Sequence, residues 1–236
     1  MTLTVVIPTL NEELDLPKTL ESLSFADEVL IIDSGSTDQT LSIAKRFGAR
    51  VIHHDFIDYS STRNFADSLV NTDWILSIDA DVSVPKNLAK EISKTINSPG
   101  SNQSFYVGRQ NEIWGKVIKH ADWDPKNDCH IRLYKKGSGN WVRGVHETYR
   151  SKYPSNTLKN FLYHLNYRTV SEFIDKSSHY SQIAANGQRV NPLHPIYDFL
   201  KRYFYKLGFL DGMRGLFLSY LQGIYYLNVY VRQNSK

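Results

Sequence analysis

The chain has 236 residues, 41% of them apolar and 22% charged, with a formal net charge of +4. That length sustains one large domain, or one domain with a smaller appendage, and the composition excludes a disordered or fibrous chain. Cys129 is the only cysteine, which excludes an intrachain disulfide and fits a reducing compartment, while the mildly basic balance suits an anionic substrate or membrane surface.

The N-terminal stretch Met1–Pro8 has no basic leader and no long apolar segment, so it reads as a strand rather than a signal peptide. No uninterrupted apolar run approaches the roughly 20 residues of a spanning helix. Leu3–Pro8 is a first strand, and Pro8 and Asn11 turn the chain into a helix carrying Leu16, Leu20 and Leu23. Glu28–Asp33 is a second apolar run that ends in an acid. Ser36 and Gln39 resemble a capping box, opening a helix to about Phe47 that Gly48 stops. Arg50–His54 is a third strand, Ser60–Val70 a third helix, Trp74–Asp79 a fourth strand and Pro85–Asn97 a fourth helix. This alternation predicts an α/β fold whose mostly parallel sheet is flanked by helices.

After Pro99–Gly100 the pattern loosens into short β-like pieces, at Phe105–Gly108, His130–Tyr134 and Val145–Tyr149, with Trp114, Trp123 and Trp141 between them. From Ser171 the chain turns helical again, and Asn186–Gly187 is expected to end that helix. Tyr197–Leu207 and Met213–Val231 then form an aromatic-rich helical extension. The domains expected are 1–165, whose halves 1–100 and 101–165 differ in pattern, and a C-terminal helical region, 166–236.

The most informative stretch is Trp74–Asp81, an apolar run ending in Asp79-Ala80-Asp81. Two carboxylates at the C-terminal end of a buried strand are costly unless something neutralises them, and ligands of open α/β sheets bind at those ends. A divalent cation carrying phosphate oxygens suits such a pair.

Three features coincide: the turn Val6-Ile7-Pro8-Thr9-Leu10-Asn11-Glu12, the segment Asp33-Ser34-Gly35-Ser36-Thr37-Asp38, and Asp79-Ala80-Asp81. In this order and spacing they resemble the inverting family 2 glycosyltransferases of the GT-A fold, over roughly residues 3–150. The resemblance implies a UDP-sugar donor and a Mg²⁺ or Mn²⁺ ion. It places Pro8, Thr9, Glu12 and Asp33 at the nucleoside, and Asp79 with Ala80 at the donor, where Asp79 meets the ribose or metal-bound water. Asp81 would ligate the metal. Arg63, opening the third helix, would face the donor, since a helix N-terminus plus a guanidinium suits a diphosphate; a plain surface arginine is the other reading.

Inverting transfer needs a carboxylate to accept the proton of the attacking hydroxyl. Asp122, Asp124, Asp128 and Glu147 are the candidates. Glu147 is favoured, with Trp141 upstream to stack on a sugar, and Asp124 is the alternative. His146 is a third metal ligand, a diphosphate contact or a structural histidine. Trp123-Asp124-Pro125, His130–Tyr134, Trp141 and Val145-His146-Glu147 resemble the branch containing bacterial lipopolysaccharide-core β-1,4-glucosyltransferases. That implies glucose as the sugar and a saccharide acceptor on a lipopolysaccharide core or another lipid-linked glycan. Arg132 and Arg143 would meet acceptor phosphates or the donor diphosphate.

Basic residues among aromatics over 197–231 suit either peripheral contact with the inner face of the cytoplasmic membrane or packing against protein. A cytoplasmic location is expected, and no nucleic-acid-binding module is recognised. A haloacid-dehalogenase-type phosphatase also places D-x-D after a strand, but the later acidic pair it needs is missing. A nicotinamide- or methyl-donor-dependent enzyme would need a glycine-rich first turn, which is absent. A non-catalytic sugar- or membrane-binding module would leave the strand-end acids without a purpose.

Overall fold

The first, second and fourth apolar runs are nearly continuous, and each becomes a strand buried on both faces. The computed structural model describes residues 1–144, 147–185 and 189–235. In chain order it contains β1 (Leu3–Thr9), α1 (Leu16–Glu21), β2 (Glu28–Asp33), α2 (Thr40–Arg46), β3 (Arg50–His53) and α3 (Tyr59–Leu69). Then come β4 (Trp74–Ser77), β5 (Val82–Ser83), α4 (Lys86–Asn97), β6 (Ser104–Ile113), β7 (Lys116–Val117) and β8 (Cys129–Lys135). β9 (Gly139–Val142), β10 (Thr148–Ser151), β11 (Ser155–Thr157), β12 (Leu162–Tyr167), α5 (Val170–Ala184), α6 (His194–Leu200) and α7 (Gly212–Asn234) complete the chain.

The chain forms two compact units, residues 1–109 with 129–164, and residues 110–128 with 165–236. Residues 110–128, expected within 1–165, lie in one compact unit with the C-terminal stretch. The main sheet has the order β3-β2-β1-β4-β8-β6-β12-β5. β3, β2, β1 and β4 are mutually parallel, whereas β8 runs antiparallel to both β4 and β6. The helix-flanked α/β sheet is as expected, parallel over β3-β2-β1-β4, but it is mixed rather than mostly parallel, because β8 and the strands beyond it add antiparallel pairs.

In the first unit, Val5 and Ile7 of β1, Ile31 of β2 and Leu76 of β4 face a core completed by Leu16 and Leu20 of α1 and by Leu88, Ile92 and Ile96 of α4. Their neighbours Val6, Leu30, Ile32 and Ile75 point the other way, onto Ala66 of α3 and onto Tyr134, Trp141 and Tyr149. The period of two puts alternate residues on opposite faces, so both faces need helical cover. The parallel register pairs Thr9 with Asp33 and Val6 with Ser77, which brings the C-terminal ends of β1, β2 and β4 to one edge.

Several local expectations change. β4 ends at Ser77, so Ile78 and Asp79 have already left the strand. The Ser36–Gln39 capping box does not form: Gln39 itself is the N-cap of α2, without a side-chain cap. Ser36 Oγ donates instead to Asp33, at 2.5 Å. The capping box appears one helix later, where Asp58 accepts from Ser61 N at 2.7 Å and Ser61 Oγ accepts from Asp58 N at 3.2 Å. The end expected at Asn186–Gly187 lies outside the described residues, as does part of the piece expected at Val145–Tyr149.

The second unit holds an aromatic core of Ile113, Ile118, Phe173 and Leu218 with Trp114, Trp123 and Tyr167. The helix expected over Tyr197–Leu207 is α6 followed by a π-helical turn, Lys201–Tyr205. α7 follows a short 3₁₀ turn, Gly208–Asp211. Gly215 is required here, because a Cβ at that position would stand 1.8 Å from the Gly208 carbonyl oxygen.

Candidate active site

The edge formed by β1 and β2 is closed by its own side chains. Thr9 Oγ1 donates to Asp33 Oδ1 at 3.1 Å, and Asp33 Oδ2 accepts from the backbone of Gly35 and Ser36 at 3.0 and 2.9 Å. Asp33 is only 2% exposed, so its carboxylate shapes the loop from inside. Asn11 Oδ1 accepts from Thr37 N at 2.8 Å, and Glu12 N donates to Thr40 Oγ1 at 2.7 Å. The loops after β1 and β2 are thus stitched into one rim, with Pro8, Thr9 and Glu12 on the first loop.

Asp79, just past β4, sits among three guanidinium groups. Arg63 donates to it directly; Arg109 Nη1 is 3.2 Å from Oδ2 and Arg132 Nη2 is 3.6 Å away. Burial alone would raise the Asp79 carboxyl, but Arg132, Arg63 and Arg109 outweigh it and hold the group far below the usual carboxylate range.

Arg63 is itself 2% exposed, and every nitrogen of its guanidinium is engaged. Nη2 donates to Asp79, Nη1 to Ser77 Oγ at 2.5 Å, and Nε to Glu147 Oε1 at 3.0 Å. Burial opposes its charge, but Asp79 and Glu147 more than restore it. A planar fork with fixed donors can tie two carboxylates in one geometry, which a lysine could not do. The D-x-D turn and Glu147, 68 residues apart in sequence, are joined through this one side chain. Trp141, expected to stack on a sugar, is buried instead: its ring lies 4.9 Å from the Arg63 guanidinium, and its Nε1 donates to Tyr134 at 3.0 Å.

Asp81 leaves this cluster and faces another partner. His164 Nε2, on β12, is 3.3 Å from Asp81 Oδ2. Ala80 between the two acids is buried, and its carbonyl accepts from Thr19 Oγ1 at 2.6 Å, fixing the turn. Among the described residues no set of three or more metal-ligating side chains gathers. A carboxylate with an imidazole nonetheless suits a divalent cation that fills its remaining positions with water and substrate phosphate oxygens. His146 lies outside the described residues.

The remaining base candidates are engaged elsewhere. Asp124 accepts from Lys126 N at 3.0 Å and from Asn127 Nδ2 at 2.5 Å within its own turn. Asp128 accepts from Asn111 Nδ2 at 2.9 Å. Asp122 is held by Lys206 at 3.0 Å, with Lys201 and Arg202 further out.

Sequence reasoning missed His164 and the parts played by Arg109 and Ser77. β12 reads Leu-Tyr-His-Leu-Asn-Tyr, and its buried face carries Leu162, His164 and Asn166. Polar residues on the inward face hide the alternation that marks a strand; the flanking Leu and Tyr were the available signal.

The profile of glycosyl transferase family 2 matches residues 4–174. The chain belongs to that family. It is therefore a glycosyltransferase, and the phosphatase, dinucleotide-enzyme and non-catalytic readings fall away. An uncharacterised family glycosyltransferase of Rickettsia typhi is 28% identical over 232 residues, covering 89% of this chain and 78% of the relative. The lipopolysaccharide core biosynthesis glycosyltransferase LpsC of Rhizobium meliloti is 26% identical over 231 residues, covering 94% and 82%. Among solved structures, glucosyl-3-phosphoglycerate synthase of Mycobacterium tuberculosis, crystallised with Mn²⁺, UDP and glucosyl-3-phosphoglycerate, superposes with a TM-score of 0.51 at 18% identity. The match covers 81% of each chain and shows a shared fold.

Proposed function

We propose that this chain is a metal-dependent, inverting glycosyltransferase that moves a hexose, glucose foremost, from a UDP-sugar to a saccharide acceptor of the lipopolysaccharide core or another lipid-linked glycan. The observation that carries the reading is the Arg63 bridge from Asp79 of the D-x-D turn to Glu147. It places a carboxylate suited to proton transfer beside the acids suited to the donor.

The roles follow from position. Pro8, Thr9 and Glu12, on the rim that Asp33 braces, border the nucleoside. Asp79 and Ala80 set the turn against the donor, and Arg63 keeps Asp79 and Glu147 in register. Asp81 and His164 would hold Mg²⁺ or Mn²⁺, and His146 remains a candidate third ligand. When bound, that cation offsets the charge that gathers on the departing diphosphate. Glu147 accepts the proton of the acceptor hydroxyl as the oxygen attacks the anomeric carbon in line with the leaving UDP. Asp124 is the reserve base.

Mn²⁺ and UDP in the structural neighbour and the name of LpsC support the donor class and the lipopolysaccharide setting. The apolar side chains exposed over 193–231 support peripheral membrane contact at a cytoplasmic face. The test is UDP release from a panel of UDP-sugars in the presence of core-oligosaccharide acceptors, with Mg²⁺, Mn²⁺ or EDTA. Turnover that requires the metal, is greatest with UDP-glucose and is abolished by Asp81→Ala supports the reading. Turnover indifferent to EDTA would sink it.

A further inference from the structure

α7, Gly212–Asn234, buries Leu218, Tyr225 and Val229 on the side that packs into its own unit. A surface helix ordinarily turns polar residues to water. Here Phe217, Tyr220, Ile224, Leu227 and Val231 are all exposed, by 36 to 59%. They are every exposed position from Phe217 to Val231. They follow one another at steps of 3, 4, 3 and 4 residues, so they form one straight row along the helix. That alternation is the seam spacing of paired helices.

Charge and area decide what covers the row. Residues 215–231 contain no Asp, Glu, Lys or Arg. Arg232, at the end of the row, donates to Ser178 of α5. A helix lying among lipid headgroups carries Lys and Arg beside a broad apolar face. This row is one residue wide, and two such rows facing each other bring no like charges together. Five side chains of this size, about half exposed, offer on the order of 500 Å² per copy, from the areas that large side chains bury. Two copies would then bury about 1,000 Å², the size at which specific interfaces begin.

The row is also nearly symmetric about Ile224, which makes it self-complementary under a two-fold axis. Run antiparallel, Phe217 meets Val231 and Tyr220 meets Leu227, large against small. We propose that a second copy of this chain covers this row, α7 against α7, antiparallel about a two-fold axis beside Ile224. The apolar side chains exposed over 193–213 remain for lipid. The pairing requires nothing of the transfer reaction, so its failure leaves the glycosyltransferase reading untouched.

Sedimentation equilibrium of the full chain without lipid, over about 1–100 µM, tests this. The expected result is a reversible dimer of twice the 27.2 kDa chain. Leu227→Lys should weaken association at least about a hundredfold, because it sets two lysines in an apolar seam. Ile174→Lys, which replaces an exposed apolar side chain of α5 outside the row, should change it by less than about threefold. Under mild oxidation an equal mixture of Phe217→Cys and Val231→Cys should give a covalent dimer. Each variant alone, and wild-type protein with only Cys129, should not. Wild-type protein that stays monomeric throughout the range overturns the proposal; vesicle flotation that Leu227→Lys abolishes would then assign the row to lipid. A dimer indifferent to Leu227→Lys also overturns it. So does efficient cross-linking of Phe217→Cys with itself, which would mean parallel helices.

Discussion

Arg63 carries a full charge where almost no water reaches it, and that is tolerable because three acceptors converge on its fork. Behind it stands a second layer. Trp141 Nε1 donates to Tyr134 Oη, and Tyr134 Oη donates to both Asp67 oxygens, at 2.9 and 3.0 Å. Burial pushes the Asp67 carboxyl up to about 7 and raises the Tyr134 hydroxyl well above its ordinary value. A carboxyl that titrates near 4 when unfolded and about 7 when folded binds more protons in the folded state between those values. Stability from this group is therefore complete below about pH 4 and falls as the pH rises towards 7, by at most about 1.4 kcal/mol per pH unit. Asp67→Asn should flatten that window. Denaturant unfolding at about pH 4.5 and about pH 7.5 reads it, and a wild-type loss that persists unchanged in the variant contradicts the assignment.

At the scale of elements, α3 delivers Arg63, and its start is fixed by Asp58. The Asp58–Ser61 capping box sets the first turn, and Arg63 follows five residues after the cap. Asp58→Ala should cost about 1 kcal/mol of stability. It should also lower turnover more than donor affinity, since the bridge to Glu147 shifts while the β1–β2 rim does not; steady-state kinetics with unfolding curves checks both. β1, β2 and β4 were legible in the sequence because they are buried on both faces, so apolar runs such as Leu30–Ile32 and Trp74–Leu76 stand out ahead of Asp33 and Asp79. The later strands were not. β12 buries His164 and Asn166, β5 and β7 are two residues long, and the Trp141 ring turned inward to cover Arg63. Glu147 could be nominated by residue type, but its tie to Arg63 depends on a contact 84 residues away in sequence, which no local pattern encodes.

For the whole molecule, the surface of the C-terminal stretch raises the question of partners. Leu193, Tyr205 and Met213 are among the large apolar side chains it exposes, yet no helix among the described residues is long and apolar enough to cross a membrane. The cations expected to greet lipid headgroups are partly spent. Lys206 pairs with Asp122, Arg202 with Asp198, and Arg214 donates to the Trp114 carbonyl. Membrane contact should then rest on apolar insertion more than on charge, and flotation with phosphatidylglycerol-containing vesicles should survive high salt yet weaken in Met213→Glu. Binding that vanishes with salt alone would contradict this. The central claim concerns the first unit, that Glu147 is the base which Arg63 holds beside the donor-binding acids. The most direct measurement is turnover of Glu147→Gln beside its affinity for UDP. A fall in turnover of about 10²–10⁴-fold with UDP affinity changed by less than about twofold is the result predicted. A variant that keeps more than about a tenth of wild-type turnover would contradict it.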